Sequence, residues 1–159
     1  MRAPYRLEMA IAYIGIGSNL GSREENCLRS IDFLKEEGIV IRKRSALYET
    51  EPWGVKDQPG FINAAVEIET DKGPQGLLET LNRIEKIMGR TETRRWGPRV
   101  IDLDILFYDD LAIDIPDLQI PHPAMHQREF VLRPLSDIAA GKVHPVLQKT
   151  VRELLAEVK

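Results

Sequence analysis

The chain is expected to fold as an α+β domain: a ferredoxin-like βαββαβ core, with helices packed on an antiparallel sheet, followed by a C-terminal extension. Three observations carry this expectation. Apolar residues recur first at strand spacing and then at helical spacing, in the order strand, helix, strand, strand, helix, strand. Both helical stretches run into a glycine, Gly38 and Gly89, as helices commonly do where the chain turns left-handed at their C-terminus. The chain has 159 residues, 43% apolar and 30% charged, which suits one globular domain with its own core.

The elements follow in order. Residues 11–16 form a short apolar strand, which the turn formers Gly17-Ser18-Asn19-Leu20-Gly21 break. Ser22 and Glu25 have the spacing of a capping box, and the helix behind them puts Cys27, Leu28, Ile31 and Leu34 on one face. Residues 39–50 alternate apolar with basic and are expected to be one long strand. Residues 51–60 hold two prolines and two glycines around Trp53, a loop of a length that usually carries function. Residues 61–70 are a strand with Ile62, Ala64, Val66 and Ile68 on one face. Pro74 suits the first turn of a helix whose core stripe is Leu77, Leu81, Ile84 and Met88. Residues 89–98 form a basic loop, and residues 100–108 the last core strand. On that strand Ile101, Leu103, Ile105 and Phe107 face the core, while Asp102 and Asp104 face the other way together. From Ile113 the chain is proline-rich, then forms short helices over 129–140 and 151–158. Residues 1–159 are expected to form a single domain, with 1–10 as a flexible extension.

Composition excludes several classes. A net charge of −3 leaves no general footprint for nucleic acid, so any anion site must be a local arginine cluster. The one cysteine, Cys27, excludes intrachain disulfides and cysteine-built zinc sites, which fits the cytoplasm. No apolar run reaches the ~18 residues of a bilayer span, and no membrane role is expected. Neither a P-loop nor a Rossmann fingerprint occurs.

Chemistry concentrates around the aspartate strand. Two carboxylates side by side repel unless a cation or proton neutralises them. Mg²⁺ takes one or two carboxylates and completes its shell with water and substrate phosphates. A solvated strand face is the plain alternative. Arg90, Arg94, Arg95 and Arg99, with Arg128 downstream, offer planar donor forks for phosphate, or a solvated basic loop. Trp96 amid those charges is a lid residue or the loop's own anchor. Phe61 and Asn63 share a strand face and can stack on a flat heterocycle and read its edge; otherwise they are a half-buried ring and a strand end. Phe130 is a second stacking ring or core. Asn82 and Glu85 lie one turn apart beside the second helix's apolar stripe and can face the aspartate strand's polar side, or solvent. His122 sits in the turn Pro121-His122-Pro123 and can donate to phosphate, or lie on the surface.

In combination these motifs resemble the 6-hydroxymethyl-7,8-dihydropterin pyrophosphokinase family. The resemblance spans residues 12–140. It rests on Tyr13-Ile14-Gly15-Ile16-Gly17-Ser18-Asn19-Leu20-Gly21, Tyr48-Glu49-Thr50 and Gln58-Pro59-Gly60-Phe61-Ile62-Asn63-Ala64-Ala65-Val66. It continues with Arg90, Arg95-Trp96-Gly97-Pro98-Arg99-Val100-Ile101-Asp102-Leu103-Asp104-Ile105-Leu106, Pro121-His122-Pro123 and Arg128-Glu129-Phe130-Val131-Leu132-Arg133-Pro134-Leu135. One stretch departs from the family pattern: Thr91-Glu92-Thr93 stands where a further basic residue is common.

The resemblance implies transfer of pyrophosphate from ATP to the pterin's hydroxymethyl oxygen, with release of AMP, in folate biosynthesis. It implies that Asp102 and Asp104 hold two Mg²⁺ ions and that Arg90 and Arg99 brace phosphates. Asn82, Glu85, Arg95, Trp96, Ile105, His122 and Arg128 fall on the ATP side. Thr50, Glu51, Trp53, Phe61, Asn63 and Phe130 fall on the pterin side. Such transfer needs positioning and charge neutralisation, not a covalent nucleophile. Asp102, Asp104 or direct loss from a metal-bound hydroxyl remain open as the route of the proton. The expected partners are these small molecules alone, with the chain a monomer. The alternative is a ferredoxin-like module that binds a small ligand or RNA without catalysis.

Overall fold

The computed structural model describes residues 9–50, 60–89 and 100–158. Its core is an antiparallel sheet of β1 (Ala10–Ser18), β2 (Val40–Arg44), β3 (Tyr48–Thr50), β4 (Phe61–Thr70) and β5 (Asp102–Tyr108). The order is β2-β4-β1-β5, with β3 also paired to β4. This is the split βαβ arrangement in which β4 lies between β1 and β2. Helices α1 (Arg23–Glu36) and α2 (Pro74–Ile87) connect the strands. A hairpin of β6 (Ile113–Ile115) and β7 (Leu118–Ile120) follows, then a short 3₁₀ turn, α3 (Glu129–Ala139) and α4 (Val151–Val158). Among the described residues no helix is long and apolar enough to cross a membrane.

Each strand's alternation sorts its residues onto two faces. Ala12, Ile14, Ile16, Ile62, Ala64, Val66 and Ile68 meet Cys27, Ile31 and Leu34 of α1 and Leu77, Leu81 and Ile84 of α2 in the first core. Gly38 and Gly89 close the two helices at φ +82 and +93, as their positions demand. Pro74 opens α2.

The second face carries a second core that the strand and helix patterns did not reveal. Tyr13, Ala65, Leu106 and Phe107 pack there against Leu132, Leu135 and Ala139 of α3 and Val151 and Leu154 of α4. The C-terminal extension is therefore a layer of the fold. Phe107 belongs to this core, not to the first. Its displacement follows from a bulge: Tyr13 pairs with Phe107 but Ile14 pairs with Ile105, so Leu106 is the extra residue and alternation changes phase.

Other expectations need correction. Ser22 makes no side-chain cap, so the capping box does not form. Leu28 is exposed, while Asn26 and Ser30 are buried with Cys27, Ile31 and Leu34. Asn26 spends its amide on the Leu20 carbonyl (2.9 Å) and the Ser18 hydroxyl (3.3 Å), which holds the turn after β1. The long strand over 39–50 is two strands. Val40 pairs with Glu69, Arg44 with Val66 and Tyr48 with Asn63, so the edge gains a residue at each of two slips. Between them Ser45 Oγ accepts the Ala65 N–H at 2.9 Å.

One group beside the second core is expected to make stability depend on pH. His144 is buried, edge-on to Phe107. Its Nδ1 accepts the N–H groups of Val146 (3.2 Å) and Leu147 (3.0 Å). Burial first, then His126, pushes its imidazole below the ordinary value. The unfolded chain takes up this proton near pH ~6.5 and the folded chain only at lower pH. Between the two the unfolded state binds more protons, so stability falls as pH drops through that window. Thermal unfolding is expected to give a level Tm from pH 8 to 7 and a decline below about 6.5. His144→Gln should make the decline shallower, leaving the part due to His122, which is depressed in the same direction; an unchanged slope in that variant would refute this account.

Candidate active site

Past the second core, the same face of the sheet becomes polar. The register across three strands sets its layout. Asn63 pairs with Gly17 and Gly17 with Asp102; Ala65 pairs with Gly15 and Gly15 with Asp104. Strands lie ~4.8 Å apart, so Asn63 and Asp102 are about 10 Å apart with only a glycine between them. Gly15 and Gly17 let neighbours lean over β1. A Cβ on Gly15 would meet Leu106 at 3.3 Å, and one on Gly17 would meet Asn63 Oδ1 at 3.1 Å and the Phe61 ring at 3.5 Å. Two glycines at strand spacing are legible in the sequence as a bare strip; the expectation placed Gly17 in a strand-to-helix turn, lining a pocket or as a plain turn. β1 in fact runs on to Ser18, and the turn begins at Asn19, with Gly21 at φ +75.

Asn63 is buried, and its amide donates to Thr50 Oγ1 at 2.9 Å. That bond fixes which way the amide points and leaves Oδ1 above Gly17. Thr50 pairs with Phe61 across β3 and β4, so Thr50, Phe61 and Asn63 form one corner of the polar face.

Asp102 and Asp104 are half-buried on β5, on one face, as their spacing requires. Between them Leu103 turns into the first core. Its N–H is bound by Glu85 Oε2 of α2 at 2.8 Å. Glu85 is buried and so reaches the aspartate strand at its main chain. Leu78, Asn82 and Glu85 follow one stripe of α2. Leu78 also lines a cleft of about 270 Å³ along the outer edge of β5, together with Asp104, Ile105, Leu118, Gln119 and His122. Asn82 is exposed on the same stripe.

His122 closes the other side. Its N–H donates to the Leu106 carbonyl at 3.2 Å, which moors the turn to β5. Its Nδ1 accepts the Ala124 N–H at 3.3 Å, so a neutral ring presents Nε2–H. Burial first, then Arg128, pushes the imidazole below its ordinary value, and Asp102 opposes them. His122, Arg128 and Asp102 are thus electrostatic neighbours. The Arg128 guanidinium lies 5.6 Å from the centre of the half-buried Phe130 ring.

Thr50, Phe61 and Asn63 therefore gather beside Gly17, and Asp102, Asp104, Ile105, Glu85 and His122 about β5, with Arg128 near His122; Phe130 lies beside Arg128, and Asn82 is exposed on α2. Arg90, Arg95, Trp96, Arg99, Glu51 and Trp53 lie outside the described residues. Among the described residues no three His, Cys, Asp or Glu side chains form a metal cluster. A carboxylate pair suits Mg²⁺ without one, because phosphate and water complete its shell. The Cys27 thiol is buried and pushed up to about 12, by burial first and then by Glu24, so it is no nucleophile.

Comparison with known proteins places the chain in a family. At 40% identity the chain resembles the 2-amino-4-hydroxy-6-hydroxymethyldihydropteridine pyrophosphokinase of Aquifex aeolicus, over 94% of the chain and 92% of that protein. At 45% identity it resembles the pyrophosphokinase of the same name from Methylorubrum extorquens, over 94% of each. A folic acid synthesis protein of Dictyostelium discoideum matches at 45% identity over 91% of the chain, which spans only 22% of that longer protein. In three dimensions the chain overlays 43% of wild-type Plasmodium falciparum HPPK-DHPS with pteroate, at a TM-score of 0.77 and 20% identity, over 96% of its own length. That likeness shows the shared fold. The model of 7,8-dihydro-6-hydroxymethylpterin-pyrophosphokinase (HPPK) matches residues 13–140, and the chain belongs to that family.

Proposed function

We propose that the bare strip and the adjoining cleft are the two halves of one transfer site, with the pterin over Gly17 and ATP along β5. The chain is an ATP-dependent diphosphotransferase: it moves pyrophosphate from ATP to the hydroxymethyl group of 6-hydroxymethyl-7,8-dihydropterin and releases AMP, for folate synthesis. Membership of the family sets aside a binding module without catalysis. The observation that carries the residue assignment is the row Asn63, Gly17, Asp102: an amide reader and a carboxylate at opposite ends of a bare floor.

The roles divide along that row. Asn63 and Thr50 read the polar edge of the heterocycle, and Phe61 and Phe130 stack on it, with Glu51 and Trp53 at the same end. Ile105, Asn82 and Glu85 belong to the nucleotide end, and His122 and Arg128 donate to its phosphates. By the family resemblance, Arg90 and Arg99 would brace the transferred group, and Arg95 and Trp96 would serve the nucleotide. Asp102 and Asp104 would hold two Mg²⁺ ions, and their hard anionic oxygens suit that cation. Bound there, Mg²⁺ supplies charge neutralisation for phosphates that would otherwise repel the two carboxylates. The pterin hydroxyl must lose its proton as its oxygen attacks the β-phosphorus, and either aspartate can accept it. We assign the chain to the cytoplasm and to a monomer acting on small molecules alone.

The test is incubation with ATP, Mg²⁺ and the hydroxymethyl dihydropterin. AMP should appear with the pterin diphosphate and should vanish when Mg²⁺ is chelated. ADP as the product would overturn the β-phosphorus mechanism.

Gly17→Ala probes the floor. The new Cβ would lie 3.1 Å from Asn63 Oδ1, so the amide must move by a few tenths of an ångström. Gly17 has no left-handed backbone, so alanine adds no strain there. We expect the KM for the pterin to rise roughly tenfold, about 1.4 kcal/mol, with little change in Tm. An unaltered pterin KM would show that Asn63 does not read the substrate over Gly17.

A further inference from the structure

The pterin end of the site stands on a weak support. Thr50 is the last residue of β3, which has three residues and pairs with β4. Phe61 is the first residue of β4. So short a ladder holds its position poorly by main-chain bonds alone. Two side chains from other elements brace it. At its start the Asp137 carboxylate of α3 accepts the Ala46 N–H (3.1 Å) and the Tyr48 hydroxyl (2.9 Å).

At its far end the brace is Arg23, the first residue of α1. Arg23 Nη1 donates to the Gly60 carbonyl at 2.7 Å and lies 3.0 Å from Glu49 Oε2. One guanidinium thus ties together the residue before Thr50, the residue before Phe61 and the helix that follows β1 and its glycine floor. The two contacts are unequal. The Glu49 side chain is 64% exposed, and such a pair is worth little in water. The Arg23 side chain is 27% exposed, and its short charge-assisted bond to a main-chain carbonyl is the stronger tie. Both contacts leave from Nη1, which carries two N–H bonds and can serve carbonyl and carboxylate at once; a lysine ammonium keeps the charge and the donors on a stem of different shape.

We propose that Arg23 is a positioning residue for pterin binding. It sets the separation of Thr50 and Phe61 and, through the Thr50–Asn63 bond, the aim of the Asn63 amide. Among the described residues it acts through Gly60 and Glu49. This inference rests on the placement of the pterin at Thr50, Phe61 and Asn63, so the experiment includes a check on that placement.

Steady-state kinetics should be measured for wild type, Arg23→Ala, Arg23→Lys, Glu49→Gln and Asn63→Ala, varying each substrate with the other saturating, alongside Tm. Alanine suits the first turn of a helix, so Arg23→Ala should keep α1 intact. Asn63→Ala should raise the pterin KM at least roughly tenfold, and Arg23→Ala roughly threefold to tenfold, with the ATP KM within about twofold in both. Arg23→Lys should recover part of the loss, and Glu49→Gln should stay within about twofold of wild type. A native pterin KM in Arg23→Ala beside a raised one in Asn63→Ala would overturn the role of Arg23 while leaving the site standing. Both KM values rising together with a lower Tm in Arg23→Ala would show a merely structural residue and would overturn it too. A native pterin KM in Asn63→Ala would remove the placement of the substrate, and the role of Arg23 with it.

Discussion

Replacing Asp102 or Asp104 with alanine is expected to cut kcat by about three orders of magnitude, roughly 4 kcal/mol of transition-state stabilisation. The two side chains are half-buried on one face of β5, with Gly17 and Gly15 in register beside them. Each side chain is half-buried and lies outside both apolar cores, so deleting one member should leave the fold intact. The catalytic loss should therefore arrive without a fall in Tm. Asparagine sharpens the point. It keeps the shape of Asp and removes the charge, and a hard divalent cation needs the charge. Asp102→Asn and Asp104→Asn should fall nearly as far as the alanine variants, and the Mg²⁺ concentration for half-maximal rate should rise in all four. Turnover within tenfold of wild type in both alanine variants would remove the metal role from these residues.

That the pair shares a face was legible because the strand period is a local property of residues 102 and 104. Phe107, five residues on from Asp102, was misplaced because a bulge depends on the partner strand. Nothing in the run Leu103-Asp104-Ile105-Leu106-Phe107 marks Leu106 as the extra residue. The helix of Leu132, Leu135 and Ala139 was legible as a helix, yet its apolar stripe does not say which sheet face it covers. Glu67 shows the same limit. Alternation puts it on the polar face of β4, but α3 and α4 bury that face. The carboxylate survives there by accepting from the Tyr13 hydroxyl at 2.8 Å and Arg42 at 3.0 Å. The β6–β7 hairpin was readable: Ile113, Ile115, Leu118 and Ile120 alternate around Pro116-Asp117, a turn the proline-rich reading passed over. Site residues on one strand were thus found by period. Contacts between a side chain of one element and the main chain of another, such as Arg23 with Gly60, carry no such signature.

Glu85 makes a contact of that second kind, and its removal should cost both stability and turnover. β5 closes one edge of the sheet, so the Leu103 N–H that points outward has no strand to meet. Glu85 Oε2 takes it at 2.8 Å in a buried setting. Alanine would leave a buried donor unsatisfied, and we expect a loss of roughly 2–3 kcal/mol in urea unfolding. Glutamine keeps an acceptor oxygen of the same reach and should lose about 1 kcal/mol or less. The functional consequence follows from position: Leu103 stands between Asp102 and Asp104, so a loosened Leu103 misaims both carboxylates, and small misplacements cost large factors in rate. Glu85→Ala should therefore lower kcat well below Glu85→Gln even at temperatures where both are folded. If the two variants prove equally stable and equally active, the Leu103 N–H does not depend on Glu85, and the aspartate strand takes its aim from elsewhere.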